Sequence, residues 1–240
     1  MLLGYSVLSH EAIIDTAWDQ SIKPILVRRF PDTTEADLRK AHGYAYGGAI
    51  IQDMGYYPFG SHLFSDLVHY VRSGDFVANL LSEARDLNEF AFALGSLAHY
   101  SADNIGHPVG VNPSVALEYP DLRQKCGREV TYEDNPADHL KVEFPFDVTQ
   151  VAAGIYAPQA YHDFIGFNVA KDLLDRGFQK TYGLQLKDVF ECVDLALGTY
   201  RRTVSKIIPE MNKVAWKEKE KDLIKARPGL TRAGCATCAC

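Results

Sequence analysis

His99, Asp103 and His107 recur at intervals of four in the 240-residue chain. On a helix this spacing puts His99 and Asp103 on one face, with His107 following one turn on. Imidazole and carboxylate are both zinc ligands, and helical proteins build metal sites from such turns. The surrounding segment is strongly apolar, with Phe90, Ala93, Leu94, Leu97 and Ala98. A histidine and an aspartate turned toward a core need partners there, and a metal answers that need better than a solvated polar stripe does. A second pair, His139 and Glu143, also has one-turn spacing. Taken alone it reads equally as an ordinary exposed helical pair. His10 follows Ser9 at the start of the first expected helix. Asp53, in IIQDMGYYP, reads either as a buried ligand or as a helix-end carboxylate.

In this order (an N-terminal histidine, a lone aspartate, a histidine, HxxxD with a following histidine, then HxxxE) the residues resemble the zinc-dependent phospholipase C family. The fungal single-strand-specific nucleases share much of the arrangement. The resemblance runs from about Gly4 to Phe144, and LAHYSADNIGHP from Leu97 to Pro108 is its most specific part. DHLKVEF from Asp138 to Phe144 fits the phospholipase-like HxxxE better than the HxxxD common in the nucleases. The resemblance implies a single all-α domain over residues 1–228 with zinc at the base of a cleft. It implies that Asp53, one upstream histidine, His99 and Asp103 hold a first zinc, that His107, His139 and Glu143 hold a second, and that His10 and a bridging Asp103 hold a third. The upstream histidine is His69 or His62. His69 is preferred, because LVHYV reads as a helix interior, whereas His62 lies in the turn-rich PFGSH. Two departures stand out. The secreted bacterial enzymes also bind the third zinc through an N-terminal tryptophan, whereas here no tryptophan precedes Trp18, so the expected count is two or three ions. The spacing from Asp103 to His107 is also shorter than in the best-known members, so the ligand segment must differ locally.

Clustered zinc suits phosphoester hydrolysis, because the metal polarises phosphoryl oxygens and lowers the pKa of a bound water to roughly 7. The resemblance makes Asp53 the candidate catalytic base. Tyr56, Tyr57 and Phe64, with Phe59 nearby, are candidates to line a cleft and receive a choline-like cation or a base. The expected reaction is cleavage of phospholipid head groups, with transient contact at a membrane surface. The alternatives are a nuclease on single-stranded nucleic acid and a noncatalytic zinc-binding module. About eight candidate ligands favour an open multinuclear site over a closed four-ligand structural one.

The elements that must position these residues read as helices. Ser9 caps a segment running to Asp19, and Asp32 to Glu35 (DTTE) is a capping-box pattern that opens a helix toward Ile50. Phe64 to Val71, Asn88 to Asn104 and Leu186 to Ile208 complete the set, with Pro209 as a stop. The small residues Ala91, Ala93, Gly95, Ser96 and Ala98 predict close packing against neighbours. Pro108 is expected to end its helix and open a loop-rich stretch to Asp138, and a second irregular stretch surrounds Pro145 and Pro158. Lys217 to Lys225 reads as a solvated helix face. Strands are few, since alternating β-branched runs are scarce.

Composition sets outer bounds. Hydrophobic residues make up 47% and charged residues 23%, enough for one substantial core. The net charge of −6 argues against holding long nucleic acid by phosphate neutralisation. No run of about 18 apolar residues suggests a membrane span. The family resemblance and the apolar start at Met1–Leu3 point to a secreted or periplasmic protein. Cys126 and Cys192 read as buried thiols. The tail from 229 to 240 ends in AGCATCAC, letters that also denote nucleotides. It is expected to be disordered or foreign to the domain, and its CxxC carries no function. GYAYGG at 43–48 has neither the dinucleotide-binding nor the P-loop spacing, and no GxSxG is present.

Overall fold

The computed structural model describes residues 7–153, 167–211, 214–215 and 217–218, and no strand occurs among them. The helices are α1 (Val7–Ala17), α2 (Lys23–Arg29), α3 (Glu35–Ile50), α4 (His62–Tyr70), α5 (Ser73–Glu83), α6 (Leu87–Gly106), α7 (Asn112–Glu118), α8 (Pro120–Cys126), α9 (Pro136–Ala153), α10 (Lys171–Tyr182), α11 (Leu186–Val189) and α12 (Val193–Arg202). A 3-10 turn, Ile51–Tyr56, follows α3, and π-helical turns occupy Trp18–Ile22, His107–Val111 and Thr203–Ile207. None of these helices is long and apolar enough to cross a membrane.

The described residues divide into two compact units, one drawn from residues 13–100 and 167–206, the other from 7–12, 101–153 and the described residues after 206. In the first, α3 and α6 approach with almost no side chain between them. A Cβ on Gly48 would lie 1.9 Å from the Phe92 carbonyl oxygen, and one on Gly95 would lie 2.0 Å from that of Ala45. The small residues of both helices therefore pack backbone against backbone. The last carbonyls of α3 have no partner within their own helix. Side chains satisfy two of them: Tyr200 donates its hydroxyl to Ile50 O at 2.7 Å, and His99 donates Nδ1–H to Ala49 O at 2.8 Å. Elsewhere in this unit Phe64 sits fully buried between Phe178 and Phe190, at ring distances of 5.4 and 5.1 Å. Arg176 and Glu89 pair at 2.8 Å between α10 and α6.

In the other unit, Val111, Val115, Ala116 and Val130 form a small core flanked by Tyr119, Leu122 and Val142. Val130 N donates to Asn112 O at 3.2 Å, which fastens the segment leading to α9 against the start of α7.

Several sequence expectations need correction. Ser9 lies inside α1, not at its cap. The α3 cap is Thr34, which exchanges bonds with Asp37, so the capping box sits two residues later than DTTE suggests. The stretch after Pro108 is largely helical. The wider π winding, with Asn112 N bonding back to His107 O, carries a residue that cannot donate and would clash in a regular α-helix. Pro145 lies inside α9, while Pro158 lies outside the described residues. The expected Leu186–Ile208 helix breaks at residues 190–192, where burial of Phe190 against Phe64 outweighs helical continuity. Residues 208–211 are helical, so Pro209 is not a stop. Cys126 and Cys192 are exposed. Most of the Lys217–Lys225 segment and all of the tail lie outside the described residues.

Candidate metal centre

Each unit gathers a group of metal-ligand side chains. In the larger unit the group is Asp53 from the 3-10 turn, His69 from α4 and His99 from α6, with one ligand atom from each within 4.8 Å of the others. Backbone carbonyls fix both imidazole tautomers. A carbonyl only accepts, so His69 must donate Nδ1–H to Ser65 O at 2.8 Å, as His99 does to Ala49 O. In the neutral rings, both Nε2 atoms then carry lone pairs, yet they stand 3.1 Å apart, with Asp53 Oδ1 3.4 Å from His69 Nε2. Three electron-rich atoms converge, and a cation among them relieves the repulsion. Backbone carbonyls that anchor histidines facing a shared point are a usual outer shell of a zinc site, with the histidines as its ligands.

In the other unit, His107, His139 and Glu143 form a second group on the same criterion. His139 is fully buried, and its Nε2–H donates to the side-chain oxygen of Asn112 at 3.0 Å. Its Nδ1 lies 2.8 Å from Glu143 Oε1 without a hydrogen bond between them. Burial pushes the His139 pKa down to about 4, so at neutral pH its Nδ1 presents a lone pair to a carboxylate. Burial also lowers the His107 pKa, against the opposing pull of Asp103 and Glu143. His107 stacks on His139 at 5.3 Å, and its Nδ1 is 3.7 Å from Glu143 Oε1. Asp103 Oδ1 lies 3.6 Å from His107 Nε2 and 3.3 Å from Nε2 of the buried His10. Neutral imidazoles and carboxylates held this way fit zinc in donor type.

The structure thus gathers Asp53, His69 and His99 in one unit and His10, Asp103, His107, His139 and Glu143 in the other. His62 is exposed in the first turn of α4, 5.7 Å from the Tyr56 ring, and does not join a group. Tyr56 is half-buried, with its ring 5.9 Å from that of His69. Tyr57 packs on Tyr200 at 4.7 Å. Phe64 packs the core and lines no open surface. His42 stacks on Trp18 at 3.8 Å and sits 3.0 Å from Asp15. Sequence reading missed Asn112, Ser65 and the Ala49 carbonyl. Asn112 precedes Pro113, and that dipeptide signals a turn, not a histidine partner.

Comparison with curated proteins and with solved structures gives no match. The family model described as zinc dependent phospholipase C matches residues 9–192. That span includes every residue of both groups, and the chain belongs to this family of zinc-dependent phosphodiester hydrolases.

Proposed function

We propose that the protein is a phospholipase C-type enzyme that cleaves phospholipid head groups, leaving diacylglycerol and releasing a phosphorylated head group. The observation that carries the reading is the convergence of fixed-tautomer histidines with carboxylates in each group, within a chain of the zinc-dependent phospholipase C family. Asp53, His69 and His99 are proposed to hold one zinc, His107, His139 and Glu143 a second, and His10 with Asp103 a third. Bound zinc would supply positive charge for the phosphoryl oxygens and acidify a water molecule. Asp53 is the proposed base. It takes the proton of the attacking water as that water adds to phosphorus, while the diacylglycerol oxygen leaves and collects a proton from solvent. The Tyr56 ring, beside His69, is the proposed wall against which a cationic head group rests. Tyr57 packs on Tyr200, and Phe64 is withdrawn from the substrate set because it is buried. The same reading places the protein outside the cytoplasm, in transient contact with a lipid surface.

The test is hydrolysis of phosphatidylcholine in mixed micelles by the zinc-loaded chain, beside single-stranded DNA. The expected result is phosphocholine and diacylglycerol from the lipid, nothing from the DNA, and a loss of at least about 100-fold in Asp53→Asn. Cleavage of DNA alone would replace the lipid with a nucleic-acid substrate. Inactivity on both in a zinc-loaded chain would contradict the catalytic reading.

A further inference from the structure

The turn that carries Asp53 is fastened at both ends by side chains outside the ligand set. Ser65 on α4 is fully buried. Its hydroxyl donates to Gln52 O and accepts from Gly55 N at 2.9 Å, so one oxygen grips the backbone on both sides of Asp53. Its carbonyl meanwhile accepts Nδ1–H of His69. The grip requires close approach: a Cβ on Gly55 would lie 2.1 Å from Ser61 O and 2.4 Å from Ser65 Oγ. Gln52, also buried, reaches the other way and donates Nε2–H to Ser96 Oγ at 2.8 Å, three residues before His99 on α6. The turn is thereby tied to the two helices that carry the histidines of its own group.

We infer that Ser65, with Gln52 fastening the opposite side of the turn, is a positioning residue that sets the Asp53 carboxylate against His69 and His99 for metal binding. The inference rests on the zinc reading proposed above. A core serine with a purely structural role would contribute to stability and leave the metal site's affinity and geometry alone. A positioning serine changes both, because the carboxylate must sit where both imidazoles already point. Residues that orient metal ligands from outside typically alter affinity by 10- to 100-fold when removed.

The experiment titrates the full chain with zinc against a chromophoric chelator and records the visible spectrum of the cobalt-loaded protein, with His69→Ala marking the binding step that belongs to this group. Ser65→Ala keeps the carbonyl that orients His69 and removes only the hydroxyl. It is expected to weaken the marked step by about 10- to 100-fold and to shift the cobalt bands. The remaining zinc steps should stay within about twofold and the far-ultraviolet helix signal should not change. An affinity within about twofold of wild type, with an unaltered cobalt spectrum, would overturn the inference while leaving the zinc reading intact. A wild-type chain that binds no zinc would overturn both. If Ser65→Ala does not accumulate folded, Gln52→Leu, which keeps the bulk and removes both Nε2–H bonds to Ser96, decides the matter: a weakened marked step supports the inference and an unchanged one overturns it.

Discussion

At the scale of single residues, the groups are defined as much by what holds each imidazole as by the imidazoles themselves. Asn112 takes the Nε2–H of His139 and so turns Nδ1 toward Glu143. Asn112→Ala should therefore leave that donor without its partner and weaken the zinc step of the His107–His139–Glu143 group by about 10- to 100-fold in a competition titration. An unchanged affinity would show that packing alone orients the ring. Burial of His139 has a second consequence, in the metal-free chain. The unfolded chain binds a proton there near the ordinary value of 6.5, whereas the native chain resists until about pH 4. Between those values the unfolded state holds more protons, so stability is lost as the pH falls through the window, by about 3 kcal/mol from this residue. Denaturant melts at pH 7, 5.5 and 4 should show that decline, and His139→Gln should flatten it. The HxxxD and HxxxE spacings were legible in the sequence because a helix makes four-residue intervals meaningful. The carbonyls of Ala49 and Ser65 were not, since any residue supplies a carbonyl and only the tertiary arrangement selects one. Phe64 was misread for a related reason: an aromatic beside a motif faces the cleft or the core, and the neighbouring letters do not say which.

At the scale of elements, the backbone contact between α3 and α6 is what brings Ala49 O within reach of His99. Gly48 and Gly95 make it possible, and a methyl group at either would meet main-chain oxygen, which cannot rotate away. Gly95→Ala should destabilise the chain by about 1–3 kcal/mol or more despite the better helix propensity of alanine. Chemical denaturation of the purified variant checks this, and a stabilised variant would contradict the packing account. The small-residue stripe on α6 announced this contact in the sequence, whereas GYAYGG on α3 looked only like a failed nucleotide motif. The π-helical turn at His107–Val111 was hidden for a different reason. Proline ends most helices, and only the wider winding lets this one pass through Pro108 into α7 and bring Asn112 to His139.

At the scale of the whole molecule, the all-helical class followed from apolar periodicity and the scarcity of strand patterns, and every described element is helical. Family membership followed from the order of the ligand types along the chain, which survives differences in helix boundaries and in the spacing between Asp103 and His107. The substrate is carried by no such pattern, because head-group selection depends on the walls around a site and not on its ligands. The central claim is that the histidine and carboxylate groups hold zinc. Elemental analysis of protein purified without chelator, beside His99→Ala/Asp103→Ala, tests it most directly. Two or three zinc ions per wild-type chain are expected, and fewer in the variant. A wild-type chain that takes up no zinc even after reconstitution would contradict it.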